Sequence, residues 1–166
     1  MTLEQLENEA YNEGLEIIDY EFSSRIKGIY SRPHSTIAIN KKCTPREKKC
    51  VIVEELGHHY TSHGDILDQA SLNNRKQERT ARAWGYDKIL KSENIIKTAI
   101  KEHSSYYDLA LALDVTPEYL IEALKYYQNK KDIVDEVTID NKNYVVSYYP
   151  LMVMPVEELT DEDIFF

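Results

Sequence analysis

Residues 44–62 read TPREKKCVIVEELGHHYTS, and the fold turns on this stretch. Thr44 can cap a helix, Pro45 suits the first turn, and Glu47 can reach back to the cap as its capping-box partner. The helix predicted from here runs to about Ser62, and Gly64-Asp65 stops it behind a histidine-rich end. Cys50, Val51, Val53 and Leu56 supply much of its apolar surface. Residues four apart share a helix face, so Glu54 and His58 can point at one ion with Glu55 beside them. That is the geometry of an HExxH site, where two histidines hold zinc and the glutamate between them is a general base towards water. Here Glu54 stands at the first histidine position.

A tetrahedral catalytic zinc takes three protein ligands and keeps one position open, so a third ligand must come from elsewhere. Glu78 is the candidate, because it lies 20 residues beyond His58 on a helix predicted from Leu72 to Leu90. An antiparallel neighbour helix can bring a carboxylate to the same point. Glu55, His59 and His63 form a rival four-residue stripe. It ranks lower because His63 abuts Gly64, where the helix should end, and His59 fits better as a donor behind the ligands or an aromatic partner. His34 and His103 are assigned no role. Trp84 and the 13 tyrosines suit packing, and Cys50 reads as an inert core thiol.

Upstream, residues 2–14 read as a short helix with Leu3, Leu6 and Ala10 on its apolar stripe, ending at Gly14. Leu15–Tyr20, Ile26–Tyr30 and Thr36–Ile39 are rich in β-branched and aromatic residues and separated by polar turns, which predicts a small antiparallel sheet. Downstream, Tyr106–Tyr127 reads as helix, turn at Asp114–Pro117, helix, a candidate helix-turn-helix. Its second helix offers Glu118, Glu122 and Lys125 where a reader of DNA needs arginine or lysine, so protein docking suits it better. A hairpin is predicted from Glu136–Ile139 and Tyr144–Tyr149 around Asp140–Asn143, followed by an acidic end. The expected organisation is an α+β chain with a core over 1–94, a helical unit over 95–131 and a hairpin with tail over 132–166.

A chain of 166 residues can bury one proper core and an appendage. The net charge of -9 and pI near 5.1 disfavour unspecific nucleic-acid binding. The best basic cluster, Lys41, Lys42, Arg46, Lys48 and Lys49, reads as a solvated face balancing an acidic body. Two cysteines, Cys43 and Cys50, are too few for a disulfide framework and lack CxxC spacing, which suits reduced thiols in a cytoplasm. The acidic start MTLEQLENEAYNEGLEII is unlike a signal peptide, and no run reaches the roughly 18 apolar residues of a membrane span. No export or anchoring is expected.

The run Cys50–Tyr60, then Gly64-Asp65-Ile66, then Gln77-Glu78-Arg-Thr-Ala81-Arg-Ala-Trp84, resembles the phage-type branch of the ImmA/IrrE metallopeptidases over roughly residues 15–95. The resemblance implies a zincin-like core, a helix with HExxH or a variant, and a glutamate followed after two residues by alanine on the next helix. It makes Glu54, His58 and Glu78 the metal ligands, Glu55 the base, and Ala81 and Trp84 packing residues. EELGH departs from the standard HELGH. A site of two histidines and one glutamate leaves zinc a net charge near +1, whereas Glu54, His58 and Glu78 bring it to about 0 and weaken its pull on water. Zn²⁺ is the implied ion, with Mn²⁺ or Fe²⁺ as competitors. The implied function is a metal-dependent endopeptidase or antirepressor of phage or mobile-element type that inactivates a helix-turn-helix repressor by cutting it. The alternatives are a degenerate peptidase that binds the repressor without cleavage, and a toxin-antitoxin partner.

Overall fold

The computed structural model describes residues 1–23, 25–61, 72–101, 105–131 and 134–158. It divides into two compact units, Met1–Ile89 and Leu90–Phe166.

The first unit opens with helix α1 (Leu3–Asn12), whose capping box pairs Thr2 with Gln5 and whose Leu6 and Ala10 are buried. Gly14, at a φ of +75°, ends it in the left-handed conformation that glycine adopts without a Cβ clash. Strands β1 (Glu16–Tyr20), β2 (Gly28–Ser31) and β3 (Thr36–Asn40) follow. They form a mixed sheet in the order β1-β3-β2, rather than an antiparallel one. β2 and β3 are an antiparallel hairpin, with Tyr30 opposite Ile37, whereas β1 runs parallel to β3, with Ile17 opposite Ile37. The β2–β3 hairpin places β3 between its own partner β2 and the parallel strand β1. Strand alternation then sends Ile37 and Ile39 of β3 into the core.

Helix α2 (Pro45–Thr61) is the centre of the unit. Thr44 and Glu47 make the expected capping box: the Glu47 amide donates to Thr44 Oγ1 (3.3 Å) and the Thr44 amide to Glu47 Oε2 (3.0 Å). Cys50 to Val53 and Leu56-Gly57 are all buried, because α1, β2, β3 and helix α3 (Leu72–Ile89) pack on different sides of α2. The predicted stop at Gly64-Asp65 lies outside the described residues.

The second unit contains α4 (Ser92–Lys101), α5 (Tyr106–Ala112) and α6 (Pro117–Lys130). The predicted helix-turn-helix is present as α5 and α6, with Asp114 at a φ of +54° in the turn and Thr116 capping α6 ahead of Pro117. The predicted hairpin is present as β4 (Asp135–Ile139) and β5 (Lys142–Tyr148), turning through positive φ at Asp140 and Asn141. A third strand, β6 (Leu151–Pro155), completes the sheet. Helices and sheet share one core: Tyr127 packs on Tyr148, and Gln128 Oε1 accepts from the amides of Tyr148 (2.8 Å) and Tyr149 (3.0 Å).

Candidate metal centre

The site sits where α2 and α3 press together. A Cβ added at Gly57 would lie 2.3 Å from the Ala81 carbonyl oxygen, so the two backbones touch at Gly57 and Ala81. Any larger pair would hold the helices apart. His58 follows Gly57 directly, and Glu78 precedes Ala81 by one turn, so this contact sets the spacing of the two side chains. His58 Nε2 lies 3.1 Å from Glu78 Oε2. The small residue this contact requires is Gly57, whose missing side chain lets the Ala81 backbone come close and brings Glu78 within reach of His58.

Glu54 lies one turn before His58. Arg82, one turn after Glu78 on α3, stands between the two carboxylates, with Nε 2.8 Å from Glu78 Oε1 and 3.9 Å from Glu54 Oε1. Glu55 points to the sheet, where the Tyr30 amide on edge strand β2 donates to Glu55 Oε2 at 2.8 Å. A Cβ at Gly28 would meet Val51 Cγ1 at 2.2 Å and come within 3.7 Å of Glu55 Oε1, so Gly28 lets β2 lie close against α2.

Burial sets the electrostatics. It raises Glu54, an effect Arg82 opposes and Glu78 reinforces. It pushes Glu55 up to about 7, although the nearby His58 and the Tyr30 amide pull the other way. Burial disfavours the His58 imidazolium, but the hydrogen bond to Glu78 and the charges of Glu55, Glu78 and Glu54 outweigh it, so His58 lies above its usual range. Glu78 is held low, chiefly by His58.

The rival stripe is only partly within the described residues. His63 lies outside the described residues. His59 turns to an aromatic cluster, with Nδ1 2.8 Å from the Tyr30 hydroxyl and its ring edge-on to Tyr30 and Tyr60. Tyr60 in turn packs on Trp84. His34 bonds Ser31 in an exposed turn, and His103 lies outside the described residues. In the basic cluster, Lys41 and Lys42 reach Glu21, Lys48 reaches Asp19, and Lys49 is buried. Neither Cys43 nor Cys50 is in a disulfide, and Cys50 is buried.

The family model Peptidase_M78, described as the IrrE N-terminal-like domain, matches residues 17–125. The chain belongs to the IrrE N-terminal-like family. No curated protein sequence matches it. The IrrE N-terminal-like family is one of metallopeptidases, so a metal cofactor is implied.

The residues gathered at the α2–α3 contact fit a divalent cation in part. Two ligands of a tetrahedral zinc with bonds of about 2.1 Å lie roughly 3.4 Å apart, a few tenths of an ångström more than the His58–Glu78 separation. Three half-buried to buried carboxylates gather around His58 and Arg82, a donor set that favours a hard or borderline dication. The third donor is less well placed. Among the described residues no three His, Cys, Asp or Glu side chains converge as a finished metal cage, and Glu54 faces Arg82. Arg82, the Tyr30 amide and the Gly57–Ala81 contact are all absent from the sequence-based expectation. Only Arg82 carries a signal that could have found it, its four-residue spacing from Glu78.

Proposed function

We propose that this chain is a metal-dependent endopeptidase that inactivates a helix-turn-helix repressor of a phage or mobile element by cleaving it. The supporting observation is the meeting of His58 and Glu78 across α2 and α3, with Glu54 and Glu55 on the same stretch of α2. Glu54, His58 and Glu78 would hold the ion, Zn²⁺ in the first instance, with Mn²⁺ or Fe²⁺ able to compete. When bound, a divalent cation supplies Lewis-acid activation of water and of the scissile carbonyl.

Glu55 is the general base. Its Oε2 is held by the Tyr30 amide, which fixes the carboxylate and leaves Oε1 to take the proton from the attacking water. The same oxygen then hands the proton to the leaving amine. Gly28 lets β2 lie close against α2, since a Cβ there would meet Val51 Cγ1 at 2.2 Å. Repressor as the substrate class is supported by the family resemblance, and the acidic α6 face around Glu118 and Glu122 suits a protein partner better than DNA.

Incubating purified protein with a candidate repressor, with and without added Zn²⁺, tests this on a gel. Metal-dependent fragments that vanish in Glu55→Gln, while that variant still binds metal, are the expected result. Intact repressor that is nonetheless bound stoichiometrically would instead establish the non-catalytic antirepressor.

A further inference from the structure

Glu54 creates a charge problem that the metallopeptidase motif does not normally have. With a histidine at that position, Glu55 and Glu78 would be the carboxylates acting on His58. With glutamate there are three, all at least partly withdrawn from water, and uncompensated buried charge is costly. A cation from this chain's own sequence stands at the right place. Arg82 Nε reaches Glu78 Oε1 at 2.8 Å and Glu54 Oε1 at 3.9 Å, one carboxylate on its own helix and one on the facing helix.

The two oxygens of Glu78 are also divided. Oε1 faces Arg82 and Oε2 faces His58, at 3.1 Å. A carboxylate held by one oxygen presents the other in a fixed direction, as the outer partners of metal ligands do.

We infer that Arg82 is the positioning residue of this site: it fixes Glu78 through Oε1 so that Oε2 faces His58, and it supplies the positive charge that offsets Glu54. The inference rests on the proposed ligand set for its bearing on metal, but its charge component holds in the metal-free protein. The extra carboxylate therefore does not leave the site with the near-zero net charge that the ligands alone imply. Arg82 returns about one positive charge, so the ion keeps much of the electrostatic strength of a site with two histidines and one glutamate.

A double-mutant cycle tests it, using Arg82→Gln, Glu54→His and the pair, with thermal midpoints measured on metal-free full-length protein. Arg82→Gln is expected to lower the midpoint by ~2–5 °C in the native background, and by less than half of that beside Glu54→His, where the third carboxylate is gone. Arg82→Lys, which keeps the charge, should recover most of the loss. Equal losses in both backgrounds would overturn the charge role and leave Arg82 as packing alone. The positioning role is read by Co²⁺ absorption, where Arg82→Gln should change the visible band shape and Arg82→Lys should change it less. An unchanged band in Arg82→Gln would overturn positioning. If the native protein takes up no Co²⁺, the ligand proposal fails and positioning fails with it, while the stability cycle still decides the charge role.

Discussion

Replacing Gly57 with alanine should do the opposite of what a glycine-to-alanine change in a helix normally does. Alanine gains about 1 kcal/mol of helix propensity over glycine in a helix interior. At Gly57, however, the added Cβ would lie 2.3 Å from the Ala81 carbonyl oxygen and 2.9 Å from its carbonyl carbon. These are backbone atoms of α3, which cannot rotate away. Restoring ordinary contact requires α2 and α3 to part by about 1 Å, and overpacking of this kind costs up to about 3 kcal/mol. The net expectation is a loss of about 2 kcal/mol, seen as a fall of roughly 4–8 °C in the thermal midpoint for a chain of this size. The same displacement would open the His58–Glu78 separation from its 3.1 Å. Zinc affinity should then drop about 10-fold or more, on the scale of losing a ligand's supporting contacts. Calorimetric unfolding of the metal-free protein and a zinc titration of the folded one measure the two effects. A variant as stable as the native chain, binding zinc equally well, would refute the claim that the Gly57–Ala81 contact sets the site.

Two further predictions concern each unit in turn. Glu47, hydrogen-bonded to Lys27 and to the Thr44 cap, titrates at about 2, well below an ordinary carboxylate. Because the folded value is depressed, its stabilisation is complete above about pH 4.5 and is lost as the pH falls towards 2. Partial exposure screens the interaction, so about 1–2 kcal/mol is expected rather than the full shift, and Glu47→Gln should flatten the acid limb of a stability–pH curve across that window. Gln128 Oε1 accepts from the amides of Tyr148 and Tyr149 and from the Ser147 hydroxyl. Gln128→Ala should cost about 2 kcal/mol in denaturant unfolding, because it orphans a part-buried amide, whereas Gln128→Glu keeps an acceptor and should cost less.

Local chemistry made most elements legible. The Thr44-Pro45-Glu47 start carries its own stereochemical cause and is found where the sequence placed it, while the hairpin turn expected over Asp140–Asn143 is the shorter Asp140-Asn141, with β5 starting at Lys142. Strand pairing was not legible, because strand composition does not decide whether β1 runs with or against β3. β6 was hidden by Pro150 before it and Pro155 at its end, which made Leu151–Pro155 look like tail rather than an edge strand. At the site, the i,i+4 spacing on α2 pointed to Glu54 and His58, and the place of Glu78 on the next predicted helix, with the family resemblance, pointed to Glu78. Spacing within one helix could not show that Arg82 reaches across to Glu54, or that an amide of β2 holds Glu55. Both depend on how close Gly57 and Gly28 let neighbouring backbones come.

Glu54, His58 and Glu78 are proposed to hold one divalent ion, and every step of the proposed chemistry depends on it. A crystal structure of the full chain grown with Zn²⁺, with anomalous data collected at the zinc edge, tests this most directly. One peak is predicted about 2.0–2.2 Å from His58 Nε2, Glu78 Oε2 and a Glu54 carboxylate oxygen, with Arg82 still on Glu78 Oε1. No peak between α2 and α3, or one on Glu55 and His59 instead, would contradict it.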